Sequence, residues 1–386
     1  MKIAVVHDYF TQLGGAEKVA EELYRMLPDP SLFATVAFPD CMPGLLKDAL
    51  VRTSWMQNLP GIERYYRLYF LLYPFAVSDL DLSAYDLVLS SSSGYAKGVQ
   101  TGRDAIHVCY CHTPMRWVWS FDNYSQRESY GFGKRTILPM LIRALKLWDE
   151  GASRQPDHFV ANSKVVAERI LRAYGRSAEV IHPPIDTDRF HPSGEGPEDF
   201  YLVLSRLVSY KRIDLAVRAC SELGKKLFVI GDGPDRAGLQ AVAGPSVTFL
   251  GRASDADVEY LVARCKALLF PGEEDFGMAP LEVAAAGRPT IAYRAGGALE
   301  TIVEDSTGLF FDRQTPEDLA EAIERFERHH WNPDVLTKHA EAFGVEIFQE
   351  RFCSFLRRIG VPLEVTAPLF KSSQGDGVEN FFAAHA

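Results

Sequence analysis

The stretch PGEEDFGMAPLEVAAAG, residues 271–287, decides the fold of this sequence because it joins an acidic loop to an apolar, alanine-rich run. Such a run is typical of a buried helix, and Pro280 fits its first turn. An apolar strand precedes the loop, so the order is strand, loop and helix. We therefore expect the N–H groups of Phe276, Gly277 and Met278 to lie at a helix N-terminus, where they can bind an anion.

Two glutamates flank the start of this predicted helix. Glu274 lies in the loop and Glu282 lies inside the helix, with seven residues between them. A carboxylate accepts two hydrogen bonds from adjacent hydroxyl groups. A nucleotide sugar with its diphosphate at the helix start could therefore place its sugar against Glu274 and its ribose against Glu282. An acidic surface loop beside a core helix is the alternative interpretation of the stretch taken alone.

Short apolar strands alternate with amphipathic helices on both sides of residues 191–200, a linker rich in proline, glycine and acid. This alternation predicts two doubly wound α/β domains facing each other across a cleft, with ligands at the carboxyl ends of the strands. The predicted strands are residues 3–6, 87–90, 106–109, 158–161, 180–181, 201–205, 227–230, 247–250, 267–270 and 290–292.

The composition limits the possible functions. The 386 residues carry a formal net charge of −10, which argues against binding to duplex nucleic acid. The six cysteines contain no C-x-x-C pair, so we expect buried, reduced thiols. The apolar run at the N-terminus is shorter than that of a signal peptide, and no apolar stretch is long enough to span a bilayer. We expect a cytoplasmic protein, or one that lies on a membrane from that side.

Three further loops of the second half carry polar or glycine-rich motifs. Arg206 and Lys211 follow a strand, where two cations could neutralise a diphosphate or simply be solvated. A G-D-G-P turn beginning with Gly231 and Asp232 follows the next strand, although G-x-G alone is a common turn. A G-G-x-x-E segment ends at Glu300.

These motifs occur in an order that resembles the retaining glycosyltransferases of family four, which have the GT-B fold. The resemblance covers residues 201 to about 312. It implies that Arg206 and Lys211 bind the donor diphosphate, with Glu274 on the transferred sugar and Glu282 on the ribose. It also implies substrate contacts for the G-D-G-P turn and for the helix start described above.

The first half resembles the same family. Gly14 and Gly15 match its N-terminal glycine loop, which comes close to the donor phosphate and the acceptor, and His112 in CYCHTPMRWVW matches a histidine near the transferred sugar. A hydrogen-bonded structural histidine is the alternative for His112. Residues 182–184 are His-Pro-Pro where the family more often has Pro-Asn-Gly.

A subgroup of this family, the bacterial mannosyltransferases that build O-antigen and exopolysaccharide, resembles the chain in four stretches together: HDYFTQLGGAEKV, FAVSDLDLSAYDLVLSSSSGYAKGV, CYCHTPMRWVW and IHPPIDTDRF. This resemblance implies transfer of mannose from GDP-mannose to a lipid-linked saccharide. Alternatives are another donor such as UDP-glucose, a nucleotide-sugar-binding protein without turnover, or a phosphorylase or epimerase on the same fold. The family resemblance implies that the protein needs no cofactor and no metal. We accordingly interpret the D-x-D triplets at residues 79–81 and 255–257 as a turn and a helix cap.

The resulting domain prediction has five parts. Residues 1–190 form an acceptor-binding Rossmann-like domain, 191–200 the linker and 201–345 a nucleotide-sugar-binding Rossmann-like domain. Residues 346–360 form a helix that returns to the N-terminal domain, and residues 361–386 form a tail, docked in one interpretation through its Phe-Phe pair.

One surface could contact a membrane. Residues 63–77 and 134–148 interleave aromatic and aliphatic side chains with arginine and lysine. Such segments could seat a lipid-linked acceptor at the membrane surface. A buried helix pair is the alternative.

Overall fold

The computed structural model describes residues 1–119 and 132–362 and, within the second range, side chains from residue 138 onward. Val361 is buried, and the remainder of the predicted tail from residue 363, with its Phe-Phe pair, lies outside the described residues. The side chains of Lys134 and Arg135 in the predicted membrane surface lie outside them too.

Two sheets of parallel strands form the framework of the molecule. The first contains β1 (Ile3–His7), β2 (Ser31–Ala34), β3 (Val51–Thr53), β4 (Leu87–Ser92), β5 (Ile106–Cys111), β6 (His158–Ala161) and β7 (Ala178–Val180). The second contains β8 (Tyr201–Leu204), β9 (Leu227–Ile230), β10 (Val247–Gly251), β11 (Ala267–Phe270), β12 (Thr290–Tyr293) and β13 (Gly308–Phe311).

The strand orders are β3-β2-β1-β4-β5-β6-β7 and β10-β9-β8-β11-β12-β13. In each sheet the chain first grows outward from one central strand and then continues on that strand's other side. The two reversal points, between β1 and β4 and between β8 and β11, are where ligands bind in doubly wound sheets. The predicted GT-B arrangement of two Rossmann-like domains is confirmed.

Helices cover both faces of the first sheet, and alternate residues of β1 therefore pack into different hydrophobic cores. Val5 packs with Val19 and Leu23 on one face. Val6 packs with Tyr73 on the other. The helices of the N-terminal part are Gly15–Arg25, Ile62–Tyr65, Tyr73–Ser78, Arg116–Trp119, Phe132–Ala152 and Lys164–Tyr174. Short 3-10 turns are Pro39–Cys41, Gly44–Asp48, Trp55–Asn58 and Ala96–Gly98.

The second sheet is covered in the same way. Its helices are Ile213–Glu222, Arg236–Ala241, Asp255–Arg264, Met278–Ala285, Ala298–Thr301, Pro316–Phe326 and Pro333–Glu341, with a 3-10 turn at Ser209–Lys211. Thr315 caps the helix that begins with Pro316, its side chain accepting from the N–H of Asp318. Each predicted strand is present with ends that differ by at most two residues. The strands β2, β3 and β13 were absent from the prediction.

The last described helix, Val345–Arg358, returns to the N-terminal domain. Phe348, Phe352 and Phe355 are buried in the same core as Val5 of β1. The return of the chain, predicted from the family resemblance, is confirmed. Within the part of the chain that the structure describes, no helix has both the length and the apolar character needed to cross a bilayer.

A small apolar core joins the domains. Ile185 and Phe343, from the two segments that cross between domains, pack with Phe276 and Leu281 at the start of the helix Met278–Ala285. The N–H of Ile185 also donates to the carbonyl of Phe343 at 2.8 Å. This core holds the carboxyl edges of the two sheets opposite each other.

Candidate active site

Glu274 and Lys211, predicted from separate motifs, meet as an ion pair. Lys211 ends the turn Ser209–Lys211 after β8, and Glu274 lies in the loop after β11. The two strands are neighbours, so their loops share one edge of the sheet. This edge therefore combines an ammonium group with a carboxylate at the reversal point of the second sheet.

Arg206 reaches the opposite domain. Its Nη1 donates to Oε1 of Gln12 at 2.9 Å, and its Nη2 lies 3.4 Å from the hydroxyl of Tyr210. Gln12 belongs to the loop that leads into Gly14 and the helix Gly15–Arg25. The arginine thus lies between the predicted phosphate site and the N-terminal glycine loop.

Glu282 also has a partner in the N-terminal domain. Its Oε1 lies 3.0 Å from Nζ of Lys18, within the helix Gly15–Arg25. A Cβ placed on Gly15 would lie 2.7 Å from Sδ of Met278, so the two helix starts nearly touch. The structure therefore brings Gly14, Gly15, Met278 and Glu282 together across the cleft.

His112 follows β5 and belongs to a chain of buried polar groups. Its Nε2 lies 2.8 Å from Oγ of Ser91, which lies 3.0 Å from Nδ1 of His7. Burial, and then the neighbouring His7, lower the pKa of His112 to about 3. The imidazole is therefore neutral at pH 7, and it can act by hydrogen bonding but not as a cation.

Two glycine motifs shape the loops at the carboxyl edge of the second sheet. Gly231 has φ 125°, and a Cβ there would lie 1.9 Å from the carbonyl oxygen of Ser205. Only glycine permits that approach. The side chain of Asp232 accepts from the N–H of Gly233 at 2.9 Å, so it stabilises the turn. Its contact with a donor stays a prediction.

The second motif supports the acidic loop. Gly297 donates its N–H to the carbonyl of Glu274 at 2.9 Å. A Cβ on Gly297 would lie 2.2 Å from Cα of Phe276, so a side chain would push the loop away. Phe276 itself is buried, and Gly277 is the N-cap of the helix Met278–Ala285. Anion binding by these N–H groups stays a prediction.

Several contacts across the cleft pair residues in ways that the motifs did not indicate. Asp275 pairs with Arg116 and Arg169 of the N-terminal domain. Glu300 accepts from the N–H of Lys164 at 2.9 Å and lies 3.0 Å from Nε2 of His182. The position of Asp275 beside Glu274 was the available signal for the first contact. The partners of such interdomain pairs are separated by no characteristic number of residues, so the sequence does not predict which residues pair.

The environment of Glu300 keeps it charged. Burial would raise the pKa of Glu300, but the hydrogen bonds from His182 and from the backbone N–H of Lys164 outweigh it and lower the pKa. The ring of His182 also stacks on Phe276 at 5.2 Å between centroids. The departure from the family pattern at residues 182–184 thus lies within the interface between the domains.

At least one carboxylate in each D-x-D triplet has a protein partner. Asp81 accepts from the side chain of Ser83 at 2.6 Å, and Asp255 pairs with Arg189 at 2.8 Å. The prediction that the second triplet caps a helix was wrong by one residue: the cap is Ser254, whose side chain accepts from the N–H of Asp257, and residues 255–257 form the first turn of the helix. Among residues 1–119 and 132–362 no group of His, Cys, Asp and Glu could hold a metal ion. The metal requirement stays a prediction.

Two family models match adjacent parts of the chain. Glycosyltransferase Family 4 matches residues 13–189, and Glycosyl transferases group 1 matches residues 185–343. The chain belongs to glycosyltransferase family 4. The family predicted from the motifs of both halves is therefore confirmed.

Relatives within the family include two mannosyltransferases. A GDP-mannose-dependent alpha-(1-6)-phosphatidylinositol monomannoside mannosyltransferase of Mycolicibacterium smegmatis is 30% identical over 193 residues, which is 42% of this chain and 50% of that protein. A GDP-mannose-dependent alpha-mannosyltransferase of Mycobacterium tuberculosis is 27% identical over 220 residues, 53% of this chain and 58% of that protein. The chain thus spans little more than half the length of these relatives.

A solved structure shares the fold of this family member. The sucrose-phosphate synthase of Thermosynechococcus elongatus superposes with a TM-score of 0.71 at 16% identity, covering 93% of this chain and 99% of that chain. At that identity the likeness concerns the fold.

Proposed function

We propose that this chain is a retaining hexosyltransferase that moves mannose from GDP-mannose to a lipid-linked saccharide in the synthesis of a cell-surface polysaccharide. The observation that carries the proposal is the Lys211–Glu274 pair at the carboxyl edge of the second sheet, facing the N-terminal domain across the cleft. Family membership supports sugar transfer as the reaction.

Each charged side chain has a role in this proposal. Lys211 and Arg206 stabilise the charge that develops on the leaving diphosphate. Glu274 accepts hydrogen bonds from hydroxyls of the transferred sugar, and Glu282 accepts them from the ribose. Because Lys18 neutralises Glu282 at 3.0 Å, the bound nucleotide must share or replace that contact.

The neutral imidazole of His112 donates or accepts a hydrogen bond at the transferred sugar without adding charge. We propose that cations of the protein and the helix start stabilise the diphosphate, so that no divalent metal is required.

Mannose is the proposed sugar because both mannosyltransferases described above are GDP-mannose-dependent. A different donor such as UDP-glucose is the alternative within the same reaction class. A nucleotide-sugar-binding protein without turnover is the alternative outside it. The joint presence of Arg206, Lys211 and Glu274 in the cleft favours an active enzyme.

An exposed surface of apolar and basic side chains supports the lipid-linked acceptor and peripheral attachment at the cytoplasmic face. Large apolar side chains are exposed on residues 62–78 and on the helix Phe132–Ala152, and basic residues lie among them. The apolar ones are Leu68, Phe75, Met140 and Leu147; the basic ones are Arg64, Arg67, Arg143 and Lys146. Both segments pack on the same core through Tyr73 and Leu145. Cosedimentation with anionic but not zwitterionic vesicles tests this surface, and loss of binding in Leu68→Glu is expected.

Thermal-shift measurements with GDP-mannose, UDP-glucose and UDP-N-acetylglucosamine test the donor. We expect GDP-mannose to raise the melting temperature most, since a ligand that binds only the native state stabilises it. Transfer to a lipid-linked acceptor in excess chelator then tests turnover and metal independence. Stabilisation without transfer to any acceptor would favour the binding protein, and stabilisation by a uridine nucleotide alone would reassign the donor.

Two glutamine variants separate the proposed roles of the glutamates. Charge-assisted hydrogen bonds contribute roughly 1.5–3 kcal/mol each, so Glu274→Gln should reduce turnover far more than GDP affinity, because GDP lacks the sugar. Glu282→Gln should weaken donor and GDP alike. Calorimetry and turnover assays on both variants check this. If Glu274→Gln loses turnover and GDP affinity equally, Glu274 does not bind the transferred sugar.

A further inference from the structure

Asp275, the residue after Glu274, is held by the opposite domain in three places. Oδ2 lies 2.6 Å from Nη2 of Arg116, and Oδ1 contacts Nη1 of Arg169. The carbonyl oxygen of Asp275 accepts from Oγ of Ser163 at 2.6 Å. One loop residue is thus bound through both its carboxylate and its backbone from across the cleft.

We infer that Asp275 is a positioning residue that holds Glu274 in place for the transferred sugar through its contacts with Arg116 and Arg169. The inference rests on the proposed function, in which Glu274 binds the sugar.

The geometry on both sides of Glu274 carries the inference. Its own domain holds the carbonyl of Glu274 through the N–H of Gly297, at 2.9 Å. The opposite domain holds the carbonyl and the carboxylate of the next residue. The backbone of Glu274 is therefore fixed between two supports. Removal of either one lets the carboxylate shift relative to the sugar.

Arg116 also contacts a neighbour of Lys211, the partner of Glu274 in the ion pair. Its guanidinium lies over the ring of Tyr210, 4.7 Å from the centroid, and Tyr210 immediately precedes Lys211. Arg116 therefore touches a neighbour of Glu274 and a neighbour of Lys211 at once. Burial would lower the pKa of Arg116, but Asp275 outweighs it and raises the pKa, so the guanidinium remains charged.

Arg169 and Arg172 lie on the same helix, Lys164–Tyr174, and provide a matched comparison. The side chain of Arg169 is 26% exposed and pairs across the cleft with Asp275. The side chain of Arg172 is 70% exposed and pairs within the helix with Glu168 at 3.6 Å. Loss of Arg172 should change little, because an exposed pair of this kind contributes little.

Steady-state kinetics test the inference with Asp275→Asn, Arg169→Ala and the control Arg172→Ala. We expect kcat to fall by about 100-fold in Asp275→Asn, because displacement of a reacting group by 1 Å can have that effect. The affinity for GDP should stay within about twofold, since the nucleotide contacts remain. Asp275→Glu keeps the charge and should recover part of kcat. Arg169→Ala combined with Asp275→Asn should be no slower than Asp275→Asn alone, because Arg169 acts through Asp275.

Hydrogen exchange at residues 274–277 gives a readout that does not require turnover. Exchange should be faster in Asp275→Asn and Arg169→Ala than in wild type and Arg172→Ala. If wild type transfers no sugar while these differences persist, the proposed reaction fails and the structural contact holds. The positioning role is overturned if Asp275→Asn keeps wild-type kcat, if kcat and GDP affinity fall together, or if exchange is unchanged. Should Asp275→Asn not fold, Arg169→Ala decides by the same criteria.

Discussion

Two lysine–carboxylate pairs in this molecule have the same chemistry and different surroundings. Nζ of Lys97 lies 2.5 Å from Oδ1 of Asp149, with side chains 1% and 0% exposed. The cleft pair, Lys211 with Glu274, has side chains 18% and 13% exposed. Water and ligands can reach the second pair but not the first.

The partners of the buried pair explain the contrast. Oδ2 of Asp149 accepts from Nε1 of Trp119 and from the hydroxyl of Tyr174, both at 2.7 Å. Lys97 also donates to the carbonyl of Gly94. This network ties together elements of the N-terminal domain. The cleft pair instead joins two loops at a sheet edge. Either side chain can therefore leave its partner and bind a ligand.

The largest expected effect is on stability, in Asp149→Asn. Burial would lower the pKa of Lys97, but Asp149 outweighs it and raises the pKa, so the variant leaves a buried ammonium group without its carboxylate. Loss of one partner of a buried pair costs about 3–5 kcal/mol of unfolding free energy. Urea denaturation measures it, with Glu168→Gln on an exposed pair as control. A change below about 1 kcal/mol would show that the pair is not a structural element.

A somewhat smaller effect, on rate, is expected for Lys211→Ala. Loss of a group that stabilises developing charge lowers turnover by about 10²–10³. The unfolding free energy should change less than in Asp149→Asn, because the freed Glu274 lies in the cleft. Lys225→Ala is the matched control, since Lys225 pairs with Glu327 at 2.9 Å and precedes β9, at the other edge of the sheet. Wild-type turnover in Lys211→Ala would contradict the proposed diphosphate site.

The smallest of these effects is a pH dependence of stability that a buried histidine causes. His107 lies inside β5, and burial lowers its pKa to about 4 although Asp157 opposes this. An unfolded histidine has a pKa of about 6.5, so between pH 6.5 and pH 4 the unfolded state binds more protons. Stability therefore falls as the pH falls through that window.

The variant His107→Gln removes this contribution. Between about pH 7.5 and pH 5 it should lose roughly 2 kcal/mol less unfolding free energy than wild type. Denaturant unfolding at the two pH values measures the difference, and the exposed His330→Gln is the control. If wild type and His107→Gln lose the same unfolding free energy between the two pH values, the buried imidazole of His107 does not cause the pH dependence of stability.

Local patterns were sufficient for most of the fold. Strands such as β1 and β11 are short apolar runs followed by a turn and a helix, and every position in them is buried. Runs of three or four residues are too short to establish a period, so prediction at this length is uneven: β11 was predicted, and β2, β3 and β13 were not.

The sequence by itself determined which residues enter the loops at the carboxyl edge of the second sheet. Strand, loop and helix are contiguous in the chain, so the spacing of Glu274 and Glu282 and the place of Lys211 follow from local geometry. The pairing of Lys211 with Glu274 then needed only that β8 and β11 be neighbours.

Only the tertiary structure decided the contacts across the cleft. Lys18 and Glu282 are 264 residues apart, and Arg169 and Asp275 are 106 apart. Their contact depends on how the two sheets face each other. The interdomain core around Phe276 and the returning helix Val345–Arg358 set that placement. Such packing sums many weak contacts over distant segments, so no spacing within one motif encodes it.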